Sequence, residues 1–346
     1  MITNRLHSFE PSKKQIDNLI MNKQIFELFY AGLDKFSRGE IMTYMDLFLA
    51  NAKQEQLDKL HTDFLFNYII DGKRTVEFLN GKLKPMSKLF VDSGAFSAWT
   101  KGKEINVKEY INWLNERSDY LDLFGQIDSI PGSRDSGVVT THDIEESARK
   151  TWENYLFMRK RVNKPEGLLY TFHIGEPIRY LEQALKWKDE YGNYIPYIAL
   201  GGMVGKSHNI RDAFLEQCFS TIYKLGREDI KVHAFGMTDF DLLKKYPITS
   251  ADSTSWIMVG AMGNVMTDWG NISVSSKQKN DKNHYSHLPK EEIEKFNELI
   301  SKYGYTLNEL AESRNNRIMF NALYMLEKSN EINEMDRTYK PKRKLF

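Results

Sequence analysis

Five short segments of this chain put a carboxylate, an imidazole or a glycine pair directly after an apolar run. They are Asp92-Ser93-Gly94 in VDSGAF, Asp128 in QIDSIPG, His173 in FHIGEP, Gly201-Gly202 in LGGMVGK and Asp252 in SADSTSW. Three carboxylates beside glycine-lined, aromatic-rich loops suit chemistry at an anomeric carbon. One ionised carboxylate can attack the sugar while another exchanges a proton with a base or with solvent. Gly201 and Gly202, with the backbone of Met203, would let a ligand approach the main chain, because glycine puts no side chain in the way. Taken singly, each acid is as well explained by a helix cap or a turn. Asp239 and Asp241 in TDFDLLKK are of that kind: they open a helix, and capping accounts for them.

The elements around these residues would bring them together. Leu89, Phe90 and Val91 read as a short apolar strand, and Gly94 permits the sharp turn that leaves Asp92 at its end. Beyond it, apolar runs (LDLFGQID, GLLYTFHIG, YIPYIALGG, IKVHAFGM, ITSAD) alternate with amphipathic stretches such as VKEYINWLNERSDY, IEESARKTWENYLFMRKRV, PIRYLEQALKWKDEYG and IRDAFLEQCFSTIYKLG. YMDLFLANA reads as an earlier strand. This alternation predicts a parallel α/β fold, and a (β/α)8 TIM barrel fits it better than an open sheet, since no Rossmann glycine fingerprint follows the first strand. In a barrel, the C-terminal strand ends converge on one mouth. The expected organisation is an N-terminal helical segment over residues 1–40, a barrel over 41–278, and a C-terminal helical region with a basic tail over 279–346.

Composition narrows the class. With 346 residues, 41% hydrophobic and 27% charged, the chain is long enough for a large core, and no run approaches the roughly 18 apolar residues of a membrane span. The N-terminal stretch MITNRLHSFEPSKKQ has no apolar signal core, which predicts a cytoplasmic protein. Cys218 is the only cysteine, so an intramolecular disulfide and a multi-cysteine zinc site are both excluded; FLEQCFS places it in a helix core. The net charge of +1 neither suggests nor excludes nucleic acid.

The order of the motifs resembles the tRNA-guanine transglycosylase family, whose TIM barrels exchange guanine in a nucleic acid for a 7-deazaguanine base. VDSGAFSAW is similar to that family's Asp-Ser-Gly-Gly-aromatic segment, FGQIDSIP to its Asp-bearing third segment, and YIALGGMVGK to its Gly-Gly loop. KVHAFGMTDFDLLKKYPITSADS resembles the stretch ending in the nucleophile, and GNVMTDWGNISVSS the hairpin beyond it. YGYTLNELAESRNNRIMFNALYMLE resembles the closing helices. The resemblance implies Asp252 as the nucleophile and Asp92 as the general base acting on the incoming base. It implies base-binding roles for Ser93, Asp128, Gly201, Gly202 and Met203, with Phe96 and Phe235 stacking on the two faces of the base.

Three departures shape the expectation. The family's cysteine-rich zinc run is replaced by KQKNDKNHYSHLPK; His284 and His287 are expected on a wet surface, and no structural metal or other cofactor is expected. The family's base-reading glutamine aligns near Ile174, so either the hydrogen bonding to the base differs or His173 substitutes for it. Met258 and Ala261 take the places of two arginines that tRNA-acting members carry after the nucleophile. Keeping both catalytic aspartates while losing those cations points to the DNA-acting branch, the 7-deazaguanine DNA transglycosylases of phage and bacteria. The expected partners are DNA, with tRNA as the alternative, the free 7-deazaguanine base and a second copy of the chain. Lysine-rich loops such as KGKE and KQKNDK would hold the DNA backbone. The other readings are a non-catalytic nucleic-acid-binding barrel subunit and a barrel glycosidase acting on free nucleosides.

Overall fold

The computed structural model describes residues 27–31, 63–67, 88–119, 121–132 and 139–341. It is an α/β fold built on a curled parallel sheet. Six strands run in sequence order along it: β3 Leu89–Asp92, β4 Leu123–Gly125, β5 Leu168–His173, β6 Tyr197–Gly201, β7 Lys231–Ala234 and β8 Ser250–Ser253. Two further parallel strands are described, β1 Glu27–Ala31 and β2 Asp63–Asn67. Helices follow the strands: α1 Ala95–Thr100 and α2 Val107–Asn115 after β3, α3 Thr141–Arg159 after β4, α4 Ile178–Lys186 after β5, α5 His208–Lys224 after β6 and α6 Phe240–Lys245 after β7.

The period-two alternation of each strand sorts its side chains. On β5, Tyr170 packs edge-on to Trp152 and Tyr155 of α3, and Phe172 stacks on Phe214 of α5. Their alternates face the other way, where Leu169 joins Phe90, Leu123, Tyr197 and Ala199 in one buried cluster with Phe235 against it. The curl shows in one contact across the sheet. Phe90 of β3 meets His233 of β7 edge-on at 4.8 Å between ring centroids and lies 5.6 Å from Phe235.

Some expectations change. Glu27–Ala31 is a strand, whereas the N-terminal 1–40 segment reads as helical from its apolar spacing. ELFYA is rich in aromatic and apolar residues, and pairing in a sheet overrides a helical pattern of that length. The rest of that segment and YMDLFLANA lie outside the described residues, and β2 was not legible as a strand. Cys218 is fully buried on α5, as its sequence context predicts. Among the described residues no helix is long and apolar enough to cross a membrane.

The described residues fall into two compact units, with one passage between them at Ser253/Thr254. Residues 336–341 belong to the sheet-bearing unit. There Arg337 donates to the Ile248 carbonyl at 2.5 Å, and Tyr339 stacks on Tyr246. The other unit holds α7 Ser255–Ala261, the antiparallel hairpin β9 Asn264–Thr267 and β10 Gly270–Ser273, and α8 Lys290–Lys302, α9 Leu307–Glu312 and α10 Arg314–Asn333. The hairpin coincides with GNVMTDWGNISVSS. Buried Asn321 of α10 accepts from the Met266 N–H at 2.8 Å and donates to the Trp256 carbonyl at 3.3 Å. Arg317 donates to the Gly260 carbonyl at 2.9 Å. A Cβ on Gly260 would lie 2.7–2.9 Å from Ile318 atoms, two of them backbone, so α7 and α10 approach as closely as their main chains allow. Gly260→Ala is therefore expected to lower the unfolding free energy by about 1–3 kcal/mol, read from urea denaturation; an unchanged midpoint would contradict this packing.

Candidate active site

Asp92 closes β3 two residues after Phe90 and so shares its inward face. The chain turns at once. Ser93 is buried and its Oγ accepts from the Ala95 N–H at 3.4 Å, while Gly94, at φ 75°, takes the left-handed conformation that starts α1. Gly125 of β4 gives Asp92 room, because the nearest atoms to the missing side chain are Ser93 N and Asp92 Oδ1, at 3.6 and 3.7 Å.

Asp128 lies three residues past the end of β4, in a loop fastened to one face of α3. The Ser129 N–H donates to Thr151 Oγ1 at 2.9 Å, Asn154 donates to the Ile127 carbonyl at 3.0 Å, and Ser147 donates to the Ser129 carbonyl. Positions 147, 151 and 154 share a helical face, which is why one helix can hold the whole loop. Asp128 Oδ1 accepts from buried Gln126 at 3.2 Å, and Oδ2 lies 3.4 Å from His173 Nε2.

His173 ends β5 between two carboxylates. Its Nδ1 lies 3.2 Å from Glu176 Oε1, and its backbone N–H donates to Glu176 Oε2 at 3.0 Å. Burial alone would lower its pKa; the charge of Asp128 and its hydrogen bond, together with Glu176, outweigh that and raise it to about 10. Near neutral pH this side chain is an imidazolium. Its ring lies over Gly201 of the neighbouring strand, where a Cβ would meet the imidazole Cδ2 at 2.6 Å, so only glycine leaves the ring in place. Gly202 has φ +77° and faces Ile174 closely, and Met203 after it is fully buried.

Asp252 on β8 is 7% exposed. Its Oδ1 accepts from the Gly236 N–H at 2.7 Å and lies 3.3 Å from His233 Nε2. Phe235, next to Gly236, is half-buried and packs edge-on to His233 at 4.5 Å. Phe96 is 65% exposed on α1 and stacks on Trp99 at 6.1 Å. The two phenylalanines expected to flank a base thus differ: Phe235 belongs to the floor of the site, and Phe96 is carried on an exposed helix face.

The structure groups Asp128, His173 and Gly201 in one polar cluster and ties Asp252 to the loop bearing Phe235. Asp92 stands on the same edge of the sheet, above Phe90. Sequence reasoning missed Glu176, Gln126, His233, Tyr197 and Ser250. Glu176 and Gln126 lie inside the motifs quoted for His173 and Asp128, while His233 and Ser250 are each two residues before a singled-out position, on the same strand face.

His284 is a correction. It is 1% exposed rather than wet, caps the turn at Tyr285–His287, and its Nδ1 lies 2.7 Å from Ser286 Oγ; burial lowers its pKa, helped by the nearby His287 charge. His287 is exposed and its Nε2 lies 2.9 Å from the Lys279 carbonyl oxygen. Among the described residues no group of three or more His, Cys, Asp or Glu side chains could hold a metal ion. Asp239 caps α6 through the Leu242 N–H and also binds Arg211 and His208, so capping does account for it.

The imidazolium gives a test. Its folded pKa of about 10 lies above the ordinary 6.5, so the stability it contributes is complete below about pH 6.5 and is lost as pH rises through about 10. His173→Gln should flatten that part of the urea-unfolding profile between about pH 6 and about pH 10; parallel wild-type and variant profiles would contradict the ion pairs. No protein-family model matches this chain, and no curated protein matches it either.

Proposed function

We propose that this chain is a pentosyltransferase that replaces guanine in DNA with a 7-deazaguanine derivative through a covalent aspartyl-sugar intermediate. In this scheme Asp252 Oδ2 attacks C1′ of the deoxyribose. The glycosidic C1′–N bond breaks, its electron pair leaves with guanine, and guanine takes a proton from solvent. The incoming base then gives its ring N–H proton to Asp92, and the freed nitrogen bonds to C1′. The C1′–Oδ2 bond returns its electron pair to Asp252, and Asp92 passes its proton to solvent.

One observation carries this reading: the contact of Phe90 with both His233 and Phe235. It brings β3, which ends in Asp92, against β7, the strand that pairs with the β8 carrying Asp252, and so supports a reading in which two carboxylates act on opposite sides of one sugar-base bond. Phe235 offers that floor to a flipped base, with exposed Phe96 as the second ring. Asp128 would accept from the edge of the base, with His173 holding its geometry.

The same reading takes the curled sheet as a complete (β/α)8 barrel. In support, β1 pairs in parallel with β8 at Phe29↔Asp252 and with β2, and β2 pairs with β3 at Asn67↔Asp92. DNA is favoured over tRNA because Met258, 42% exposed on α7, and Ala261 replace the two arginines. Exposed Lys101 and Lys103, between α1 and α2, and Lys206, in the loop after β6, are suited to phosphate contacts.

The test supplies isotopically labelled 7-deazaguanine with guanine-containing DNA or with tRNA. Label should enter DNA, Asp252→Asn should incorporate none, and Asp92→Asn should be slower by at least about a hundredfold. Label in tRNA alone would assign the tRNA substrate instead. Base release without incorporation would make the protein a glycosidase, and label in neither polymer would overturn the proposal.

A further inference from the structure

Behind Asp252 lies a line of polar groups in an otherwise apolar interior. Tyr197 of β6 is 5% exposed, and its hydroxyl lies 2.6 Å from Ser250 Oγ on β8. The same Oγ lies 2.6 Å from His233 Nδ1 on β7. His233 and Ser250 are both fully buried, and the far nitrogen of the imidazole, Nε2, faces Asp252 Oδ1 at 3.3 Å. Three strands thus supply three side chains in series to one oxygen of the proposed nucleophile. The His233 ring packs edge-on to the apolar rings of Phe90 and Phe235. Buried polar groups in such a place must be mutually satisfied to be tolerated.

We propose that Tyr197, Ser250 and His233 form a positioning relay that fixes the Nε2–H tautomer of His233 and so dedicates Asp252 Oδ1 to hydrogen bonding. This rests on the reading of Asp252 as the nucleophile. The direction follows from proton counting. An ionised Asp252 facing Nε2 requires a proton there, since two lone pairs would otherwise oppose each other. In the neutral imidazole Nδ1 is then an acceptor, the Ser250 hydroxyl must donate to it, and Ser250 Oγ in turn accepts from the Tyr197 hydroxyl. The Gly236 N–H donates to the same oxygen at 2.7 Å, the Nε2 proton faces it as an ion-pair contact at 3.3 Å, and Oδ2 becomes the oxygen that bonds to the sugar. His233 acts through Asp252 and is a positioning residue.

The relay has a kinetic signature. Donors on Oδ1 stabilise the carboxylate relative to its ester, so they favour the second half of the exchange, in which the carboxylate leaves. Weakening them should slow breakdown of the covalent intermediate more than its formation. A residue that merely fills space would lower turnover without raising the fraction of trapped enzyme.

Two measurements separate this inference from the parent reading. The first uses the whole protein, labelled with 15N-histidine and free of substrate; the His233 signals are those missing in His233→Gln. Long-range proton-nitrogen couplings should show Nε2–H in the wild type, and a mixture or the other tautomer in Ser250→Ala. An Nδ1–H wild type, or an unchanged Ser250→Ala, overturns the relay whether or not the protein exchanges bases. The second follows base exchange in Ser250→Ala and Tyr197→Phe, each of which removes one oxygen. For Ser250→Ala, kcat should fall by about tenfold or more while KM for the free base moves by less than about twofold, and the trapped fraction should rise. Tyr197→Phe should show the same pattern more weakly. Equal losses of trapped enzyme and turnover would overturn the relay. A wild type that exchanges no base would overturn the parent reading alone, leaving the tautomer to decide the relay.

Discussion

The contact of Phe90 with His233 and Phe235 is what turns a row of strand ends into a site. A flat parallel sheet would hold β3 and β7 four strand spacings apart, on the order of 19 Å. The curl instead brings a side chain of one against two of the other, and each ring removes apolar surface from water while meeting the next nearly edge-on, a favoured aromatic geometry. The two strand-borne carboxylates Asp92 and Asp252 are built one rung above this floor. Asp92 is two residues beyond Phe90, and Asp252 is two beyond the Ser250 that binds His233, so the strand repeat lifts both carboxylates to the same rim.

The carboxylates are then differentiated by their surroundings. Asp252 is nearly enclosed and its Oδ1 receives a backbone N–H, which suits a group that must remain an anion and keep one orientation. Asp128 is paired with a fixed cation and a buried amide, which suits holding a ligand edge. Glycines shape the surroundings of Asp128 and of Asp92. Gly201 lets the His173 ring lie flat against the neighbouring strand, and Gly125 leaves the space beside Asp92 open.

Much of this was legible in the sequence because the signals were local. Apolar runs ending in Asp, His or Gly identified β3, β5, β6 and β8, and Gly94 marked the turn after β3. What was not legible depends on contacts between distant strands. Nothing near His233 announces that its partner is Ser250, seventeen residues on, or that Ser250 in turn meets Tyr197 of β6. β1 escaped because its five residues are embedded in a helix-like pattern, and strand identity there comes from neighbours in the sheet. The burial of His284 escaped for the same reason, since a histidine in a polar stretch reads as exposed until the surrounding fold encloses it.

The central claim is that Asp252 is the atom-bonding residue at this rim. Its most direct measurement is peptide mapping by mass spectrometry of the protein denatured during reaction with guanine-containing DNA. The account predicts deoxyribose-linked DNA on the peptide containing Asp252, with fragmentation placing the bond on that side chain. A bond to Asp92, to Asp128 or to any other residue would contradict it.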